Sequence, residues 1–216
     1  MITHLDHDGN YTPWRLTAQD AGVTVREVAI HVEDCTLDLE DLAAKLNDRT
    51  RLVAVCAASN LSGSITPVGK ICRMAHEVGA EVFVDAVHYA PHRAIDVMDW
   101  NCDYLVCSAY KFFGPHVGIF WGRQERMEAI RPYKLRTSPD SLPGRWMTGT
   151  QNHEGILGVA GLVVNGGCAW LLHRTGDRSH NVRGAALHLI GDAVGSLGVV
   201  VAGTAVALGG ADWIDA

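Results

Sequence analysis

The chain has 216 residues and a formal charge of −6, from 18 Lys and Arg against 24 Asp and Glu. That length is enough to bury a sizeable core, and the scattered basic residues leave no electrostatic footprint for nucleic acid. Six cysteines without C-x-x-C spacing read as buried thiols of a reducing compartment, and Met1 to Asp8 lacks the basic start and apolar core of a signal peptide, so none is expected.

Val23 to Ile30 has strand composition, and Leu37 to Leu46 (LDLEDLAAKL) spaces its leucines and alanines as a helix behind acidic first-turn residues. Arg51 to Ala57 is a continuous apolar run of buried-strand length. Pro67 to Val78 follows as a helix with proline at its start and Gly79 beyond its end. Glu81 to Asp85, Asp103 to Cys107 and Gly118 to Gly122 complete the strands, with Gln124 to Ile130 helical after them. This rhythm predicts an α/β layer structure with a largely parallel sheet.

In such sheets ligands collect beyond the carboxyl ends of the strands. Asn60, Asp85, Ser108 and Lys111 all fall there and should face one crevice. A lysine after a strand is ordinarily a solvated surface residue, and an aspartate there a turn or cap residue. Gly114, Pro115 and Gly118 favour the stronger reading, because they shape a loop that can lie close to a ligand. A lysine amine beside a carboxylate is the pairing that pyridoxal phosphate (PLP) chemistry uses. The amine forms a Schiff base, and the carboxylate keeps the pyridine nitrogen protonated.

The segments LDHDGNYTPW, TRLVAVCAASNLSGSITPV, VFVDAVHYAPHRAIDV, CDYLVCSAYKFFGPHVGIFWGR and TGTQNHEG carry a resemblance. Residues 1–154 resemble part of the large domain of class V aminotransferases, in the cysteine-desulfurase-like branch of the fold-type I PLP enzymes. The resemblance implies that Lys111 holds the cofactor and moves the substrate proton, that Asp85 pairs with the pyridine nitrogen, and that His7 stacks on the ring. His88 stands where the desulfurases usually have a glutamine facing the phenolic oxygen. Ser108 matches a phosphate ligand, whereas Tyr110 replaces a histidine often found before the lysine. Asn60 matches a residue near cofactor and substrate carboxylate, and Thr150 one that reaches a partner's phosphate, which implies a homodimer acting on an amino-acid substrate. The family's N-terminal phosphate-binding segment and C-terminal small domain have no counterpart in this sequence, nor does the desulfurase cysteine, so weakened activity is expected.

From Gly155 the composition changes. Gly155 to Leu172 and Ala193 to Ala211 carry no charged side chain, and each approaches the ~20 residues that cross a bilayer. They predict a hydrophobic α-helical hairpin over residues 155–216, with Trp170 and Trp213 suited to membrane interfaces. His188 and Asp192 lie four apart, on one helix face, and supply half of a tetrahedral zinc site. GLVVNGGCAWLLH and SHNVRGAALHLIGDAVGSLGVVVAG resemble two transmembrane helices of cation diffusion facilitator (cation efflux) transporters. That resemblance implies Zn²⁺ binding at His188 and Asp192 and membrane association. The first part would then lie in the cytoplasm and the second in the inner or plasma membrane. Three functions follow: a PLP-dependent enzyme core, a divalent-cation transporter fragment, or a composite chain with neither activity.

Overall fold

The computed structural model describes residues 1–174 and Gly191. It divides into two compact units, one of Met1–Lys111 with Gly118–Gly149, the other of Phe112–Val117 with the chain from Thr150 onward.

The first unit is built on a four-stranded sheet in the order β3-β4-β5-β6. Strands β3 (Leu52–Cys56), β4 (Glu81–Asp85) and β5 (Tyr104–Ser108) run parallel, in a register that pairs Cys56 with Asp85 and Asp85 with Val106. Strand β6 (Gly118–Gly122) is antiparallel to β5. The nine residues between them are too few for the crossover that a parallel partner requires. The sheet is thus parallel over three of its four strands, as expected, with one reversed edge.

Burial explains which runs became strands. In β3 the residues Val53 to Cys56 are all buried, whereas β4 alternates, with Val82 and Val84 fully buried and Glu81, Phe83 and Asp85 on the other face. Helix α3 (Val68–Glu77) buries Val68, Ile71, Cys72 and Ala75, the i, i+3, i+4, i+7 stripe that its sequence spells. Each of the two larger side chains contributes about 1.5–3 kcal/mol by leaving water. Gly79, at φ +77°, turns the chain from α3 into β4. Pro67, the expected first residue of α3, sits instead at its cap, one residue before the helix begins.

Two expectations shrink. Val23 to Ile30 supplies only the two-residue strand β2 (Glu27–Val28), paired in parallel with β1 (Ile2–Thr3). Ile30 instead bridges Leu37 across a turn that contains Cys35 at φ 57°. Helix α2 spans Leu39–Lys45, capped by Asp38, whose carboxylate accepts from the Glu40 and Asp41 amides. Two helices were not anticipated: α1 (Thr12–Asp20), which has proline in its first turn and buries no residue, and the single-turn α4 (Val97–Trp100). Helix α5 (Gln124–Ala129) matches its expected position.

In the second unit, α6 runs His153–Arg174. It covers the first apolar stretch of the expected hairpin, but no apolar hairpin is shown among the described residues; the second stretch, with His188 and Asp192, lies outside them. No helix among the described residues is long and apolar enough to cross a membrane. Five glycines and Asn165 interrupt the apolar side chains of α6.

Candidate active site

Asp85 is the last residue of β4, and its strand pairing orients it. Paired residues of parallel strands project to the same face, so Cys56, Asp85 and Val106 share one side of the sheet, and Ser108, two residues beyond Val106, joins them. The Asp85 carboxylate accepts the Val87 amide through Oδ1 at 2.9 Å. Its backbone carbonyl accepts from Ala57, which ties the end of β4 to the end of β3.

Lys111 follows β5 in a tight helical turn, Ala109–Phe112, and is half-buried. Its Nζ lies 5.4 Å from the centre of the Tyr110 ring. His88, on the turn after β4, reports what surrounds it. Burial holds its imidazole below the ordinary histidine range, and the positive charge of Lys111 adds to this, with Asp85 opposing and His7 and His92 contributing less. Lys111, Asp85 and His7, all singled out in the sequence, therefore each lie within electrostatic reach of His88. Asn60 and His88 line a common cavity of about 490 Å³. Ser108 ends β5, paired with Gly118. Thr150 is exposed and belongs to the second unit. Among the described residues no cluster of three His, Cys, Asp or Glu could hold a metal ion.

The buried thiols are poor nucleophiles. Burial first, and the Asp6 and Asp85 carboxylates next, push the Cys56 thiol far above its usual range. Burial likewise raises Cys72 to about 12 and Cys102 to about 11. Little thiolate forms at any of them near neutral pH.

Sequence reading missed Asp6, which builds the turn presenting His7. Its Oδ2 accepts from Thr3 N at 2.9 Å and Thr3 Oγ1 at 2.8 Å, and its Oδ1 accepts from Asn10 Nδ2 at 3.1 Å. Asn10 Oδ1 in turn accepts from Trp14 Nε1 at 2.9 Å, and the Trp14 ring meets Phe83 edge-on at 5.1 Å. Phe83 shares the β4 face that carries Asp85, so one chain of contacts seats the His7 turn on the strand of the candidate site. An acid before a histidine is too common a dipeptide to have shown this.

Burial raises the Asp6 carboxyl to about 6, against the lowering effect of its hydrogen bonds. The folded state therefore holds this proton more tightly than the unfolded state. The associated stability is fully present below pH ~4 and is lost as pH rises through ~6. After allowance for solvent screening, wild type is expected to lose about 1–2 kcal/mol relative to Asp6→Asn between pH 4 and pH 7. Urea denaturation of both proteins across that range checks it; a difference independent of pH would count against the buried carboxyl.

A second cavity, about 440 Å³, opens at the other end of the sheet around Asp103, Arg123 and Arg126. Its charges are paired: Asp103 accepts from Val82 N, His76 and Arg126, and Arg126 also pairs with Glu81 at 2.9 Å. It reads as a staple of the sheet rather than a ligand site.

Residues 155–216 match the profile of the cation efflux transmembrane domain, a match that falls mostly outside the described residues. Cysteine desulfurase of Dickeya dadantii is 35% identical over 172 residues, 74% of this chain and 42% of that protein. Cysteine desulfurase of Enterobacter sp. is 34% identical over 176 residues, 76% of this chain and 43% of that protein. The chain thus spans less than half the length of these curated relatives. Among solved structures, the apo cysteine desulfurase of Thermococcus onnurineus is 29% identical with a TM-score of 0.67, covering 74% of this chain and 43% of that one. The cysteine desulfurase CsdA of Escherichia coli, at 23% identity and a TM-score of 0.69 over 80% of this chain and 49% of that one, shares the fold. Residues 1–162 match the profile of the class-V aminotransferases, three quarters of the chain, and with the strand-end placement of Asp85, Ser108 and Lys111 this shows that the chain belongs to the aminotransferase class-V family.

Proposed function

We propose that residues 1–154 are the core of a PLP-dependent enzyme that acts on an amino acid, with Lys111 as the cofactor's covalent anchor. The observation that carries this is the grouping of Lys111, Asp85, His88 and His7 at the carboxyl edge of the sheet. The site suits the cofactor: Asp85 Oδ2 has no hydrogen bond among the described residues, and the adjoining cavity has no carboxylate in its lining. When bound, PLP supplies an electron sink for a carbanion at the substrate α-carbon.

Each residue then has a task of its own. Lys111 Nζ binds the cofactor and moves a proton at the α-carbon. Asp85 Oδ2 keeps the pyridine nitrogen protonated, and His7 stacks on the ring. The largely uncharged imidazole of His88 donates toward the phenolic oxygen. Ser108 Oγ holds the phosphate, and Asn60 the substrate side. Thr150 reaches the phosphate of a second copy, so that the assembly is a homodimer. The names of the relatives point to L-cysteine as substrate. None of the buried thiols Cys56, Cys72 and Cys102 suits the nucleophilic part of such a reaction.

The test is chemical. The purified chain incubated with PLP should develop a visible absorption band, and borohydride followed by peptide mass analysis should fix the added mass on Lys111. A chain that stays colourless, or mass on another lysine, refutes the assignment.

The family match of residues 155–216 favours a second activity for that segment, divalent-cation binding by His188 and Asp192 within a membrane. Fractionation of expressing cells and zinc retention in wild type against His188→Ala test it. Protein absent from the membrane fraction, with no zinc retained, disposes of it.

A further inference from the structure

The two edges of the four-stranded sheet differ. At the β3 edge, Ala54 N donates to Met1 O at 2.9 Å and the Met1 amine to Leu52 O at 2.5 Å, so the chain just ahead of β1 covers it. At the β6 edge no further strand pairs among the described residues, and no hydrogen bond beyond the ladder to β5 reaches Gly118–Gly122.

The ladder fixes which backbone groups of β6 are spare. Ala86 N donates to Val106 O at 2.8 Å, so Val106 turns its backbone toward β4 and its neighbours Leu105 and Cys107 turn theirs toward β6. Arg123 N, donating to Asp103 O at 3.0 Å, continues that alternation. Trp121 and Ile119, opposite Leu105 and Cys107, are therefore the hydrogen-bonded positions, and Gly118, Phe120 and Gly122 point their N–H and C=O groups off the sheet. Sheet edges are ordinarily guarded by lysine, proline or a bulge. Residues 118–122 (GIFWG) have no lysine, no proline and no charge, and their register with β5 is unbroken.

We infer that β6 pairs antiparallel with the β6 of a second copy of this chain, on a twofold axis through Phe120. The spare positions are symmetric about residue 120: Phe120 of one copy meets Phe120 of the other, and each Gly118 meets a Gly122, so every outward N–H and C=O finds a partner. The side chains agree with that occupant. On one face of the sheet an aromatic row ends at Phe120, whose ring lies 6.5 Å from Phe83 and 6.3 Å from Tyr104 and which is still 43% exposed. Across the axis it gains an aromatic mate, a favourable cross-strand pair. Just beyond the strand, Arg123 falls opposite Val117 rather than a second Arg123, so no like charges meet there. A contact of this kind closes at two copies. It uses none of the residues assigned to the cofactor, and it stands whether or not Thr150 reaches a second copy.

Hydrogen exchange of the full chain, resolved to single amides over a dilution series and matched to sedimentation of the same samples, tests the pairing. The Ile119 and Trp121 amides should be protected at every concentration, whereas those of Gly118, Phe120 and Gly122 should gain about tenfold in protection as the dimer forms. Gly118→Lys adds a charged edge guard at a position where a Cβ meets nothing within 4 Å. It should weaken the dimer about tenfold and remove the concentration-dependent protection of Phe120, with the urea midpoint of the dilute protein unchanged. Leu16→Lys, at an exposed position on α1, should do neither. Fast exchange of Phe120 at every concentration overturns the inference. Protection of Phe120 that does not depend on concentration also overturns it, because the edge is then covered within one chain. A dimer that leaves Phe120 unprotected, or one that Leu16→Lys weakens as much as Gly118→Lys does, places the contact on another surface and overturns it as well.

Discussion

Lys111→Ala is expected to abolish the visible band and all borohydride-fixed mass on its peptide. The fold should be untouched, because Lys111 is half-buried on a turn after β5 and contributes no ion pair among the described residues to the sheet. Near-ultraviolet circular dichroism should thus overlay that of wild type. The companion variant Asp85→Asn isolates the other half of the pairing. It keeps an oxygen able to accept the Val87 amide, now at 2.9 Å, but removes the charge that holds a proton on the pyridine nitrogen. Covalent attachment to Lys111 should survive in Asp85→Asn, with the band displaced and amino-acid turnover lowered by about two orders of magnitude or more, the scale set by losing one electrostatic stabiliser of a developing charge. Spectra of the two variants side by side are decisive. If Asp85→Asn loses the adduct as completely as Lys111→Ala, the carboxylate holds the cofactor rather than tuning it. If Lys111→Ala keeps the adduct, another amine is the anchor.

The bounds of β4 and β6 were legible to the residue, and those of β3, β5, α2, α3 and α5 to within one or two residues at each end. Apolar runs of strand length and a helical stripe are local signals, and the structure buries the residues that carry them. Asp85, Ser108 and Lys111 were legible for the same reason, since a strand end is itself a local mark. The role read for His7 came from resemblance alone. Its support, the relay from Asp6 through Asn10 and Trp14 to Phe83, joins positions more than 70 residues apart. The pairing of Arg126 was illegible too, because its partners Glu81 and Asp103 lie more than 20 residues away in the chain. The direction of β6 depended on the length of a loop rather than on its composition.

Asp103→Ala should be the most damaging substitution for stability. Asp103 is 2% exposed at the amino end of β5. It accepts from Val82 N at 2.8 Å, His76 Nε2 at 2.9 Å and Arg126 Nε at 3.3 Å, with Arg123 Nε at 3.8 Å. Removing the carboxylate strands a buried strand amide and leaves two guanidinium groups short of countercharge. Losing one partner of such a buried arrangement costs about 3–5 kcal/mol, against a total stability of about 5–15 kcal/mol for a domain. Glu125→Ala provides the contrast. Its contact with Arg123 spans 3.9 Å and its side chain is 69% exposed, so its loss should cost less than about 1 kcal/mol. Asp103→Asn should fall between them, since the amide oxygen can still accept from Val82 N while the charge is gone. Urea denaturation of the three variants orders them, and equal midpoints for Asp103→Ala and Glu125→Ala would show that the network carries no stability. Because this staple grips β4 and β5 at the end away from Asp85 and Ser108, the Asp103→Asn protein kept below its melting temperature should still take PLP on Lys111. A loss of the adduct there would mean that the amino end of the sheet sets the geometry of the carboxyl end.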